Sequence, residues 1–177
     1  LLLGHSLGGR FALSLLEQVP SAIAAAFLAA PDGLERRPWY RRLAHSAIGR
    51  RLYRHFVAHP GSAHRAMRLL RRVGVLDERL FRFLMEQTDT VEKRERVRDT
   101  WLAFRLLEPD LRQVATNIHK HSIPVHLLFG RQDRVIPSGL ARHLRPLAPE
   151  LIDVHVMEGG HRLLTPELGE LIAGLLP

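Results

Sequence analysis

The apolar and polar positions of this chain fall into two patterns that alternate along its 177 residues. Residues 1–5 form a short apolar run closed by Gly4 and His5, which fits a fully buried strand. From Gly8 to about Val19 the apolar residues Phe11, Ala12, Leu15, Leu16 and Val19 recur at helical spacing, and Pro20 stops them. Residues 22–30 are a run of small apolar side chains ended by the turn Pro31-Asp32-Gly33. Their place after a strand and a helix predicts a second buried, parallel strand. Helical spacing then returns in four groups: Leu43, Ile48, Leu52 and Phe56; Leu69, Leu70 and Val73; Leu80, Phe83 and Leu84; and Leu102, Leu106 and Leu107. Pro60-Gly61, Gly74 and the charged stretch 86–99 separate these expected amphipathic helices.

Beyond Glu108 strand and helix alternate again. Residues 110–121 predict a helix, Pro124–Phe129 a strand, Pro137–Leu144 a helix, Ile152–Met157 a strand and Thr165–Leu176 a closing helix. Thr165-Pro166-Glu167 supplies an N-cap, a proline at the first helical position and a favourable first-turn charge. The order β-α-β, helical insert, α-β-α-β-α implies an α/β fold, with a mostly parallel sheet and helices packed on it.

Composition sharpens this division. The 46% hydrophobic and 25% charged content is an ordinary globular mix. There is no cysteine, which excludes disulfides and thiolate metal sites. No apolar run is long enough to span a bilayer, and the chain is expected in the cytoplasm. The formal net charge of +8 is not spread evenly. Residues 35–105 hold 18 of the 26 Lys and Arg but only 8 of the 18 Asp and Glu. The basic character therefore marks one contiguous segment, and three parts are expected: 1–34, 35–107 and 108–177.

The chemistry-bearing residues lie outside that segment. Gly4-His5-Ser6-Leu7-Gly8 reads G-x-S-x-G between a predicted strand and a predicted helix, the context this motif requires. A turn this sharp is expected to leave no room for side chains two residues either side of Ser6, and to need Gly9 where the helix packs on the strand. It lifts the hydroxyl over the end of the sheet, and the backbone N–H of Leu7 becomes a donor to a developing oxyanion. A serine nucleophile needs a base, and the base a carboxylate to orient it. The strand 124–129 runs into Gly130-Arg131-Gln132-Asp133, and the strand 152–157 into Glu158-Gly159-Gly160-His161. Asp133 and His161 thus leave successive strands at the sheet edge that carries Ser6.

The segments GHSLGG, FGRQDRVIP and GGHRLL resemble the nucleophile, acid and histidine segments of the α/β-hydrolase superfamily, in its order. The resemblance covers residues 1–34 and about 108–177, and the intervening segment resembles the helical cap many members insert. It implies Ser6 as nucleophile, His161 as general base and then acid, and Asp133 as its partner. It implies a serine hydrolase that cleaves a carboxylic ester or thioester through an acyl-enzyme, without cofactor or metal. Acyl transfer, C–C bond hydrolysis and a non-catalytic binding protein on the same fold stay open. A serine at this position separates the chain from the dehalogenases and epoxide hydrolases of the superfamily, which use aspartate. The resemblance further implies that this chain is the C-terminal portion of the fold. Earlier strands and a second oxyanion donor would precede it, so the 177 residues alone are expected to be poorly stable and inactive.

Rival readings attach to several residues. Asp32 competes with Asp133 as the acid, although Pro31-Asp32-Gly33 is also an ordinary turn. His5 is expected to point away from Ser6, in a packing or surface role. His119, His121 and His126 are crowded, but the first two cannot share a helical face and no carboxylate pair completes a metal site. Glu158 is expected to be solvated and Asp153 to lie at a strand edge. The arginine-rich insert reads as a solvated helical face, as an electropositive mouth for an anionic small-molecule ester or thioester, or as a contact for anionic membrane helped by Trp39, Phe81 and Phe83. Without interleaved aromatics or a known motif it does not read as a nucleic-acid surface.

Overall fold

The computed structural model describes residues 1–35, 46–104 and 106–176. Leu43 and Trp39, singled out above, lie outside the described residues. The chain divides into two compact units, Leu1–Arg36 with Leu107–Pro177, and Arg37–Leu106.

The first unit is built on four strands: β1 (Leu2–His5), β2 (Ala26–Ala29), β3 (Val125–Gly130) and β4 (Ile152–Met157). They pair in parallel in the order β1-β2-β3-β4. β2 and β3 are buried along their whole length, which is why their sequences are continuous apolar runs rather than alternating ones. Helix α1 (Leu7–Gln18) buries Ala12, Leu13 and Leu16 in the same core as Phe27, Leu127, Phe129 and Ile118. Ile118 lies on α6 (Leu111–His121), whose Asn117 side chain donates to the last carbonyls of α1, Leu16 O at 3.0 Å and Glu17 O at 2.8 Å. Those carbonyls have no intrahelical partner, so Asn117 both satisfies them and docks the two helices. Asp110 caps the N-terminus of α6, and Thr165 that of the last helix, α7 (Pro166–Leu175).

Two expectations for this unit need correction. Strand β2 is shorter than the apolar run 22–30, because Pro20–Ala22 forms a turn of 3₁₀ helix. Residues 138–143 are also 3₁₀ helix rather than α-helix, followed by a second such turn at Arg145–Leu147. Pro137 stands extended before the first, and Pro146 disfavours α conformation at the residue before it, so no full α-helical ladder can be built there.

The second unit holds α2 (Ala47–Ala58), α3 (Gly61–Arg72), α4 (Glu78–Glu86) and α5 (Val91–Phe104). Its interior differs from what the pattern predicts. Ile48, Leu52, Leu69, Leu70 and Val73 are exposed, while Val57, Phe81 and Arg94 are buried. The stretch 86–99, expected to separate helices, is mostly helix α5. It carries no amphipathic signal because its most buried described side chain is a charged one. Arg94, 4% exposed, donates through Nε to Val57 O at 2.9 Å and through Nη1 to Thr88 O at 2.9 Å and Asp89 O at 3.3 Å. One guanidinium thus ties the end of α2 to the start of α5, a use its planar five-donor fork suits. Arg71 lies over the Phe81 ring, 4.7 Å from its centre. Arg94 is structural and lies off the solvated face, whereas Arg71 stays exposed while it covers the Phe81 ring. Replacing Arg94 by Leu should destabilise this unit by about 3 kcal/mol, since it leaves buried carbonyls without donors. Denaturant unfolding followed by circular dichroism checks this, and Arg79→Leu on the exposed surface of α4 should change little.

Candidate active site

Ser6 sits between β1 and α1 with φ 52° and ψ −118°, a backbone region that non-glycine residues rarely enter. The turn is held by three backbone hydrogen bonds: Ser6 N to Ala29 O at 3.0 Å, Gly9 N to Ser6 O at 2.9 Å, and Asp32 N to Ser6 O at 2.8 Å. The strain is real and local, and it lifts Oγ off the end of the strand. Steric demand around the turn is uneven. A Cβ on Gly4 would stand 2.5 Å from Gly8 O and 3.0 Å from the Ala12 Cβ, and one on Gly9 would strike Pro31. A Cβ on Gly8 meets no neighbour within 4 Å. Of the two glycines flanking the serine, only Gly4 is required by space, and Gly9 is required by Pro31 after β2 rather than by a strand.

From the other end of the sheet come Asp133 and His161. The turn after β3 folds back so that Asp133 Oδ1 accepts from Val135 N at 2.8 Å and Ile136 N at 2.9 Å. Its second oxygen lies 2.9 Å from His161 Nδ1. His161 Nε2 lies 2.9 Å from Ser6 Oγ. The side chain of Asp133 is buried and that of His161 is partly buried, at 11% exposure. Burial pushes the Asp133 carboxyl upward, but the His161 hydrogen bond, the Ile136 and Val135 amides and the His161 charge outweigh it and leave its pKa below the usual carboxylate value. Ser6, His161 and Asp133 therefore form one continuous hydrogen-bonded line. Leu7 opens α1, so its amide is among the first four with no intrahelical acceptor, at the positive end of the helix.

The loops carrying the acid and the histidine are joined to each other. Gln132 N donates to Gly159 O at 2.9 Å, Gly159 N to the Gln132 side chain at 3.0 Å, and Arg131 N to Met157 O at 2.8 Å. Glu158 is exposed, as expected, yet engages Arg131 at 2.5 Å and Gln132 at 2.6 Å.

A scan against family models matches residues 1–173 to the alpha/beta hydrolase family. The chain belongs to that family. Among curated proteins no match is found. Solved structures similar to this chain include a thermophilic esterase from Thermogutta terrifontis, 18% identical with a TM-score of 0.57, aligned over 98% of this chain and 61% of that one. Another is a carboxylesterase of the thaumarchaeon Nitrososphaera gargenis, at 19% identity and a TM-score of 0.51, over 98% and 62% of the respective chains. An α/β-hydrolase from a sediment metagenome of the Mar Chica lagoon in Morocco aligns at 18% identity with a TM-score of 0.52, over 98% and 58%. At these identities the likeness is one of fold. The chain spans about three fifths of the length of these α/β-hydrolases.

Within this hydrolase fold, the rival residues are engaged elsewhere. Asp32 pairs with Arg10 at 2.7 Å and accepts from Gly33 N at 2.8 Å. His119 bonds Ala115 O and pairs with Glu150. His5 does not simply point away. Its Nε2 is 2.9 Å from His161 O, and its ring centre is 5.4 Å from that of His161. Sequence spacing could not place a contact across 156 residues, although the identity of the residue beside the serine was the available clue.

Two outcomes follow from this geometry. Gly4→Ala should destabilise by about 1–3 kcal/mol through overpacking, whereas Gly8→Ala should be neutral or stabilising by up to about 1 kcal/mol; paired thermal melts decide it. A carboxylate whose pKa is lowered on folding adds stability that is full above its unfolded value, about 3.9, and is lost as pH falls through the lower folded one. The stability gap between the natural chain and Asp133→Asn should therefore be widest near neutral pH and close in acid, as urea midpoints across that range would show.

Proposed function

We propose that this chain carries the catalytic residues of a serine hydrolase that cleaves a carboxylic ester or thioester through an acyl-enzyme. The observation behind this reading is the line Ser6 Oγ–His161 Nε2 and His161 Nδ1–Asp133 Oδ2, with both separations 2.9 Å. Ser6 Oγ attacks the substrate carbonyl carbon as His161 Nε2 takes its proton. Asp133, held ionised, accepts from Nδ1, fixes the tautomer that leaves Nε2 free as a base, and stabilises the imidazolium. The Leu7 amide at the head of α1 faces the oxyanion that forms. His161 then protonates the leaving alcohol or thiol, and the C–O or C–S bond breaks to leave acyl-Ser6. Water deprotonated by His161 attacks that ester, and the proton returns to Ser6 Oγ as the acid departs. None of these steps calls for a cofactor.

In the same proposal, residues 35–107 are a cap that sets the acyl group accepted. Arg50, Arg54 and Arg98 with Asp99 and Leu102 line a concavity of about 240 Å³ within the helical unit itself, and a lining with this excess of positive charge favours a negatively charged group.

The test is covalent labelling by a fluorophosphonate, read by peptide mass spectrometry. Ser6 should carry the label. Ser6→Ala should abolish it, and Asp133→Asn should slow it by as much as about 10⁴-fold, because the imidazole then adopts the wrong tautomer. Equal labelling of Ser6→Ala would sink the assignment.

A further inference from the structure

His126, Asp153 and His155 form a cluster that shares no residue with the Ser6, His161 and Asp133 line. Strands β3 and β4 pair in parallel with His126 opposite Asp153, and His155 lies two residues further along β4. Alternate residues of a strand share a face, so all three side chains leave the same side of the sheet. His126 is 8% exposed, and its ring stacks on Phe27 with centres 4.9 Å apart and planes 18° from parallel. That stack fixes the ring with Nδ1 turned toward β4. Nδ1 is 3.2 Å from His155 Nε2 and 3.8 Å from Asp153 Oδ2. One ligand atom from each of the three lies within 4.8 Å of the others.

The geometry points to a binding site for a divalent transition-metal ion of Zn²⁺ type, with His126 Nδ1, His155 Nε2 and the Asp153 carboxylate as its three protein ligands. Zn²⁺ takes imidazole nitrogen at about 2.0–2.1 Å and carboxylate oxygen at about 2.0–2.2 Å in a tetrahedron, which puts neighbouring ligand atoms roughly 3.3–3.5 Å apart. The two nitrogens stand close to that separation already, at 3.2 Å. The carboxylate oxygen, 3.8 Å from His126 Nδ1 and within 4.8 Å of His155 Nε2, must close in by up to about 1.5 Å to complete a zinc tetrahedron, on a side chain that is 73% exposed. Two neutral imidazoles and one carboxylate are a borderline-soft donor set suited to zinc rather than to calcium or magnesium, which prefer oxygen. The exposed side of Asp153 leaves the fourth position to water. Such an ion would clasp β3 to β4 and thereby steady the strands that carry the Asp133 and His161 loops. It takes no part in the hydrolytic steps.

The alternative is a bare hydrogen bond between two histidines, one ring donating and the other accepting. Metal titration of the purified chain separates the two. Metal-free protein titrated with Co²⁺ should develop the visible absorption of a tetrahedral ion, one equivalent per chain, and Zn²⁺ should displace it. Competition with a chromogenic chelator gives the Zn²⁺ affinity. Asp153→Asn and His155→Gln should each weaken it at least about tenfold, since even changes one shell further out cost 10–100-fold. His119→Gln should leave it unaltered. Asp153 is exposed, so its variant should keep the natural circular dichroism spectrum, and a loss of affinity there cannot be put down to unfolding. No stoichiometric binding, an octahedral Co²⁺ spectrum, or an affinity unmoved by both variants would each overturn the proposal.

Discussion

At the end of β3 a single backbone position decides how the rest of the site is assembled. A Cβ on Gly130 would strike the carbonyl oxygens of Gly159 and Gly160, so only glycine lets the end of β3 and the loop after β4 come this close. That approach puts Gln132 and Gly159 in reciprocal hydrogen bonds. It also brings Asp133 and His161, 28 residues apart, to 2.9 Å. Asp133 and His161 are thus one welded unit before any contact with Ser6 is considered.

Reaching the serine is the harder problem. In the strand order β1-β2-β3-β4, Ser6 follows the first strand and His161 the last. Three strand spacings separate their ends, about 14 Å. The histidine loop must run back across the top of the sheet to close that gap. It is anchored on the β3 side through Gln132 and on the β1 side through the His5 ring, which bonds the His161 carbonyl. Anchoring at both margins holds an irregular segment with 2.9 Å contacts on each imidazole nitrogen. His5 therefore holds the His161 backbone in place, which its position beside Ser6 allows.

What the sequence could reveal follows the range of the interactions. The elbow motif, the strands β1, β3 and β4 and the capped α7 are written in stretches of a few residues, and local spacing reads them directly. Where the deciding interaction is distant, the spacing is silent. Helix α5 hides because its most buried described side chain is that of Arg94, satisfied by carbonyls from Val57, Thr88 and Asp89. The 3₁₀ turn at 138–143 reads as α-helix until the later Pro146 is weighed. His126 finds its neighbours only through the register of β3 against β4, which places Asp153 and His155 beside it, whereas its crowding along the chain with His119 and His121 suggested no site.

Asp32 shows how one residue can be a credible acid by position and a scaffold in fact. Backbone strain of the kind seen at Ser6 costs on the order of 1–3 kcal/mol, and it persists only where surrounding bonds over-determine it. The Asp32 amide supplies one of those bonds, to Ser6 O at 2.8 Å. Its carboxylate is fixed in turn by Arg10 of α1 and by the Gly33 amide. Elbow, helix and the turn after β2 therefore lock one another, with Gly9 seated against Pro31 of that same turn. Turning the Asp32 carboxylate toward His161 would give up its bonds to Arg10 and the Gly33 amide, which tie the turn after β2 to α1. The carboxylate that meets His161 Nδ1, at 2.9 Å, is that of Asp133 in the turn after β3.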